Sequence, residues 1–149
     1  FTEEYSLNPN EAILEIIRFS TIPGTSRHHW GTDIDIIDGN YPDENDVLIS
    51  KKFEKNGIFF KIKSWMDENS EKFGFYLTYN NDINRKGFEY EPWHYSYGPT
   101  SIKYYNAFIN NDIEKIIKNP DLKGHEFFSK SFIDKYITEN IMDINPDLK

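Results

Sequence analysis

Several stretches of the chain place their apolar residues at helical spacing. The first is NPNEAILEIIRFS, in which Ile13, Ile16 and Ile17 share one face. Asn8 can cap this helix and Pro9 suits its first turn. Further helices are predicted for IFFKIKSWMDENSEKFG, which ends at a glycine, and for SIKYYNAFINNDIEKIIK and SFIDKYITENIM.

Three other stretches have the pattern of strands. Polar and apolar residues alternate in TDIDII, which predicts a strand with Asp33 and Asp35 on one face and Ile34 and Ile36 on the other. Aromatic, extended segments are predicted for FYLTY and EPWHYSY. Because strands and helices do not alternate regularly, we expect an α+β fold with a small antiparallel sheet flanked by helices, and not βαβ units.

Composition narrows the possible functions. The 149 residues fit one domain, and no apolar run approaches the ~20 residues of a membrane span. The net charge of −8 disfavours binding to nucleic acid or to an anionic membrane. The absence of cysteine excludes disulfides, thiolate zinc sites and a cysteine nucleophile.

The segment PGTSRHHWGTDIDII crowds possible metal ligands together. An imidazole from His28 or His29 and a carboxylate from Asp33 or Asp35 could converge across the turn made by Gly31. A third ligand must then come from elsewhere in the chain.

The segment EPWH supplies that third candidate, His94, with Glu91 beside it. Two imidazoles and one carboxylate suit zinc and leave one coordination position open, as in catalytic zinc sites. Glu91 could then transfer a proton between the attacking water and a leaving amine. In a plain strand Glu91 and His94 would project from opposite faces, so EPWH must contain a turn if both side chains face one site.

The residue pattern alone leaves structural alternatives open. His94 could be a packed, hydrogen-bonded core residue of an aromatic strand. His28 and His29 could make backbone hydrogen bonds in a loop, and Asp33 and Asp35 could form a solvent-exposed strand face.

A family resemblance favours the metal site over these alternatives. SRHHWGTDID resembles the Ser-x-His-x-x-Gly-x-x-x-Asp signature of the zinc D-alanyl-D-alanine carboxypeptidases, and EPWH resembles their Glu-x-x-His signature. These enzymes share a fold with lysostaphin-type peptidases and the hedgehog signalling domain. The resemblance spans about residues 23–97, and it implies a small antiparallel sheet that carries the zinc site.

Carried over by position, the resemblance assigns roles to individual residues. It makes His28, Asp35 and His94 the ligands of one zinc ion per chain, and it makes Glu91 the general base. Ser26 matches a position near the substrate, and Trp93 is expected to help shape the substrate cleft. His29 and Asp33 fall at variable positions of the signature, where they would support the site or the loop.

The function implied is zinc-dependent hydrolysis of a peptide bond in the stem peptides of peptidoglycan, in the first place as a D-alanyl-D-alanine carboxypeptidase. One alternative is a peptidoglycan endopeptidase with the same zinc site. Another is a non-catalytic, zinc-containing module that binds the cell wall or a protein. The implied location is the periplasm or the cell surface, although no export signal is visible in the chain.

One element expected from the resemblance is missing. Such enzymes usually carry an arginine several dozen residues before the first zinc signature, where it supports charge on the scissile carbonyl. Only Arg18 precedes Ser26 here, and it lies in no matching motif. We therefore expect residues 1–149 to form one metallopeptidase domain that lacks an N-terminal segment of the full protein. A reduced or inactive site is the alternative.

Overall fold

A computed structural model describes residues 6–149 of the chain. Within this range a three-stranded antiparallel sheet is surrounded by helices, which confirms the predicted α+β class. The strands are β1 (Asp33–Asp35), β2 (Phe75–Leu77) and β3 (His94–Tyr97). The α-helices are α1 (Pro9–Ile16), α2 (Phe60–Asn69), α3 (Gly98–Ile109), α4 (Ile113–Ile117) and α5 (Lys130–Tyr136), and short 3₁₀ turns connect several of them. None of the described helices combines the length and apolar character needed to span a membrane.

Helix α1 begins as the sequence predicts. The side chain of Asn8 accepts a hydrogen bond from the backbone of Glu11, and the carboxylate of Glu11 accepts one from the backbone of Asn8. This reciprocal capping box satisfies two backbone N–H groups that a helix start leaves without partners, and Pro9 needs none.

The sheet places four polar residues on one face. Strand β3 lies in the centre and pairs with β1 so that Asp33 is opposite Ser96 and Asp35 is opposite His94. Side chains two positions apart along a strand point to the same side, so these four residues share one face of the sheet. The alternation of polar and apolar residues in TDIDII therefore places both aspartates on the face of the sheet that carries His94 of β3.

Two apolar clusters support this sheet. The larger one joins α3, α4 and α5 to the ends of the sheet, and its fully buried members include Ile117, Ile133, Tyr136 and Leu148. A smaller cluster consists of Phe53, Phe59 and Trp93. The smaller cluster anchors the segment that immediately precedes β3.

The long helix predicted for SIKYYNAFINNDIEKIIK is divided in two. Helix α3 ends at Ile109, and Asp112 then caps α4 by accepting a hydrogen bond from the backbone of Lys115. The intervening Asn110 and Asn111 use their side chains to bond the carbonyls one turn earlier. Short polar side chains compete with the helical backbone in this way, so three in a row favour a break.

The last part of the chain is attached to β2. The backbone N–H of Asn145 donates to the carbonyl of Thr78 (3.0 Å), and its side-chain amide donates to the carbonyl of Leu77 (3.0 Å). Leu148 then enters the larger cluster, where it is fully buried. Asn145 therefore fixes the position of this segment beside the strand.

Candidate metal centre

The turn that the sequence requires in EPWH is present. The carbonyl of Glu91 accepts a hydrogen bond from the backbone N–H of His94 (3.1 Å), so the chain reverses just before β3 begins. As a result the two side chains meet, and Nδ1 of His94 lies 2.8 Å from Oε2 of Glu91.

His28 is held by a short 3₁₀ turn. Ser26 caps this turn through its hydroxyl, and Gly31 ends it in the left-handed conformation (φ 69°) that favours glycine. The ring nitrogen Nδ1 of His28 donates to the carbonyl oxygen of Asp33 (3.1 Å). In the neutral ring Nε2 is then the nitrogen without a proton, and it lies 3.5 Å from Oδ1 of Asp35.

His28, Asp35 and His94 form a compact group of possible ligands. Each offers one nitrogen or oxygen atom, and these atoms lie within 4.8 Å of one another. The rings of His28 and His94 are 4.5 Å apart between centroids, and Tyr79 packs edge-on against His94 at 5.0 Å. Two imidazole nitrogens and a carboxylate oxygen are a donor set that fits zinc and leaves a position open.

Behind this group lies a buried polar network centred on Asp33, whose side chain is 0% exposed. Its Oδ2 accepts from Nε2 of His94 (2.9 Å) and from Nε of Arg27 (2.8 Å). Its Oδ1 accepts from the hydroxyls of Ser96 (2.7 Å) and Thr32 (2.9 Å). Each carboxylate oxygen of Asp33 therefore has two donors within the protein.

These contacts change the acidity of both partners. Burial by itself would raise the pKa of Asp33, but the hydrogen bond from His94 and the charge of Arg27 hold it well below its usual range. Burial by itself would lower the pKa of His94, whereas its hydrogen bonds to Asp33 and Glu91 raise the pKa to about 9. The raised pKa favours the protonated ring of His94, in which both nitrogens donate, and a metal bound through one of them would release its proton.

The ligand group opens into a cleft of about 760 Å³. His28, Asp35, Glu91 and His94 lie in its wall. Other parts of the wall are apolar and exposed, namely Phe19, Leu48 and Ile49. The group of possible metal ligands and an apolar surface therefore face the same space.

The structure brings together most of the residues singled out from the sequence. Ser26 and Trp93 both line the cleft, but Trp93 is largely buried and packs on Phe53 with ring centroids 5.5 Å apart. His29 is exposed and lies outside the ligand group, and His125 is bonded to the carbonyl of Leu122. Asp33 is a supporting residue, bonded to His94 and not exposed on a strand face.

Sequence reasoning missed Arg27 and the hydroxyl partners of Asp33. Arg27 is buried, with its guanidinium 4.7 Å from the ring of Trp30, and it bonds both Asp33 and Ser96. The available signal was an arginine and an aspartate six positions apart on either side of a glycine turn. The sequence gives no sign that Ser96 of β3 would join them, because only the fold brings Ser96 close to Asp33.

Comparisons with known proteins show which family the sequence is similar to. The family described as VanY, D-alanyl-D-alanine carboxypeptidase, matches residues 3–100, a range that contains every residue of the ligand group and its support. No solved structure is significantly similar to the chain.

Three relatives illustrate the similarity. An uncharacterized protein of Haemophilus influenzae is 39% identical over 80 residues, which are 52% of this chain and 61% of that protein. The D-alanyl-D-alanine carboxypeptidase of Enterococcus faecalis is 35% identical over 89 residues, 58% of this chain and 28% of the enzyme. The protein YodJ of Bacillus subtilis is 29% identical over 135 residues, 87% of this chain and 40% of YodJ. The chain thus spans less than two thirds of the length of each of these relatives.

Proposed function

Because the chain belongs to the VanY family of D-alanyl-D-alanine carboxypeptidases, we propose that it is a zinc-dependent peptidase that removes the terminal D-alanine from peptidoglycan stem peptides. The observation that carries this proposal is the convergence of His28, Asp35 and His94 beside Glu91 at an open cleft. The substrate places the site of action in the periplasm or at the cell surface.

In this proposal three residues hold one zinc ion: His28 through Nε2, Asp35 through its carboxylate, and His94 through Nδ1. When bound, zinc supplies Lewis acidity, which polarises the scissile carbonyl and lowers the pKa of the attacking water. The donor atoms lie on a short turn and on two paired strands, so the fold holds them close together before a metal arrives.

Glu91 is the general base in this proposal. Its carboxylate lies beside Nδ1 of His94 (2.8 Å) and faces the cleft. It accepts the proton that the water loses as the new carbon–oxygen bond forms. It then returns this proton to the nitrogen of the leaving D-alanine as the carbon–nitrogen bond breaks, so that no net proton is consumed.

The cleft walls bind the peptide. Phe19, Leu48 and Ile49 present exposed apolar surface, which suits the methyl groups of an alanine-rich stem peptide. Ser26 lies close to His28 and can contact the peptide backbone, while Trp93 forms a rigid part of the wall.

Two measurements on the purified protein test the proposal, namely its zinc content and its cleavage of a stem peptide ending in D-Ala-D-Ala. We expect close to one zinc per chain and release of D-alanine. Glu91→Gln should keep its zinc and lose about 10²- to 10⁴-fold in kcat. The matched control Glu126→Gln makes the same chemical change at an exposed glutamate outside the cleft, and it should behave as wild type.

Other results would contradict the proposal in distinguishable ways. Cleavage inside the stem or a cross-link, without release of terminal D-alanine, would make the protein an endopeptidase with the same site. Zinc binding without any cleavage would make it a non-catalytic wall-binding or protein-binding module. Absence of zinc after zinc is offered would remove the metal-dependent mechanism altogether.

A further inference from the structure

Asp33 contacts both histidines of the ligand group, each through a different atom. Its carboxylate accepts from Nε2 of His94 (2.9 Å), and its backbone carbonyl accepts from Nδ1 of His28 (3.1 Å). We propose that Asp33 is a positioning residue that fixes which ring nitrogen each histidine presents to the metal, Nδ1 for His94 and Nε2 for His28. This inference rests on the proposed function for the identity of the metal.

The carboxylate determines the orientation of His94. A histidine binds a metal through a nitrogen that carries no proton, and the hydrogen bond made by the other nitrogen selects which one that is. Oδ2 of Asp33 accepts the Nε2 proton of His94, so this proton stays in place. Nδ1, which faces Glu91 and the cleft, is then the nitrogen that becomes available to a metal.

The backbone carbonyl determines the orientation of His28. A carbonyl oxygen can only accept, so Nδ1 of His28 must carry the proton. Nε2 is left as the free nitrogen, 3.5 Å from Oδ1 of Asp35. One residue thereby gives the two rings opposite choices of nitrogen, Nε2 for His28 and Nδ1 for His94.

Asp33 is itself held in a single orientation. Arg27 donates to it through Nε and to Ser96 through Nη2 (2.8 Å), so these three side chains form a closed ring of hydrogen bonds. Thr32 adds a fourth donor. Because both carboxylate oxygens are occupied and the side chain is fully buried, Asp33 cannot turn toward the metal and replace Asp35 as a ligand.

A purely structural role for Asp33 makes a different prediction. If the carboxylate served only to neutralise the buried Arg27, replacing both residues together would leave metal binding intact. Under our proposal the loss of Asp33 frees the Nε2 side of His94 whatever stands at position 27. Metal affinity and the ring protons of His94 therefore separate the two roles, whereas stability alone does not.

The first variant is Asp33→Asn, which keeps the shape of the side chain and removes its charge. Zinc affinity is measured by competition with a chromophoric chelator. The ring protons are observed by NMR on ¹⁵N-histidine-labelled protein, and the His94 signals are assigned by their loss in His94→Gln. We expect the zinc Kd to rise about 10- to 100-fold, the usual effect of removing such a partner. The hydrogen-bonded Nε2 proton of His94 should shift upfield and exchange faster.

The matched control is Asp134→Asn. It makes the same change at an exposed aspartate of α5 that pairs with Lys130, outside the cleft. Its zinc Kd and the His94 ring protons should equal those of wild type.

The second variant is the double substitution Arg27→Met with Asp33→Ala, which removes both buried charges so that neither is left unpaired in the core. The proposal requires this variant also to show the weaker zinc binding. A wild-type zinc Kd in the folded double variant, or an unchanged His94 Nε2 proton in Asp33→Asn, overturns it. If wild type itself binds no zinc, the proposed function fails, but the ring-proton comparison in metal-free protein still tests Asp33.

Discussion

The two sides of the cleft are built in different ways. On the histidine side the side chains belong to a turn and two paired strands, and hydrogen bonds fix Asp33, His94 and their partners in the interior. On the other side Leu48 and Ile49 lie in an irregular segment with 45% and 43% of their surface exposed. Under the proposed function this difference is expected, because catalytic groups need a fixed mutual geometry, whereas contacts with a flexible peptide tolerate adjustment.

Trp93 connects the two sides. It lies between Glu91 and His94 in the chain, and its ring packs into the small cluster with Phe53. The cluster therefore supports the turn that brings the side chain of Glu91 to His94.

The largest effect is expected in the buried network of the histidine side. Asp33→Ala leaves the buried Arg27 without its carboxylate, and losing one member of a buried ion pair costs about 3–5 kcal/mol in the free energy of unfolding. Urea denaturation measures this cost. The double variant Arg27→Met, Asp33→Ala should recover most of it, and a fully stable Asp33→Ala would show that the network does not hold this side together.

Loss of the connecting cluster should be nearly as costly. Phe59 is completely buried against Phe53, with ring centroids 5.0 Å apart, so Phe59→Ala should lower the free energy of unfolding by about 3 kcal/mol. Its neighbour Phe60 is 39% exposed, and Phe60→Ala is the matched control with a much smaller expected loss. Equal losses for the two variants would contradict the role given to the cluster.

Metal addition should stabilise the protein through the histidine side alone. At a free zinc concentration of about 100 times Kd, binding to the folded state adds about 2.7 kcal/mol to the free energy of unfolding. Thermal unfolding with zinc and with a chelator measures the difference. This stabilisation by zinc should vanish in His94→Gln and persist in Leu48→Ala. The reverse pattern would show that the metal binds on the side of Leu48 and not on the histidine side.

The smallest effect is expected on the exposed side. Leu48→Ala should change the free energy of unfolding by less than about 0.5 kcal/mol, because the side chain is exposed. If Leu48 contacts the stem peptide, KM should rise about two- to fivefold with kcat unchanged, since about 0.4–1 kcal/mol of apolar contact is lost. Ile83→Ala, at a residue that is 95% exposed and outside the cleft, is the control for an unchanged KM.

Local patterns in the sequence predicted the elements that depend on local interactions. Helix α1 and its cap follow from Asn8 and Pro9, and the shared face of Asp33 and Asp35 follows from the period of two. The break between α3 and α4 was not predicted, because helical spacing continues across Asn110 while its side chain competes for the backbone.

The site was predictable where it depends on short local motifs. Two short motifs indicated which residues would converge, and the structure brings His28, Asp35 and His94 together. The strand pattern does not distinguish Asp33 from Asp35, since both occupy one face of one strand. The family signature separated them, because it makes Asp35 a ligand and leaves Asp33 at a variable, supporting position. Only the folded chain brings Ser96, 63 positions away, to the carboxylate of Asp33.

The attachment of Asn145 to β2 also bears on how copies of the protein behave toward one another. A strand at the edge of a sheet can pair with a strand from another molecule, which is a common beginning of aggregation. Here the carbonyls of Leu77 and Thr78 already accept from Asn145, and β2 is only three residues long. An incoming strand would have to displace the bond between Asn145 and Leu77, so this segment protects the edge of β2 in concentrated solution.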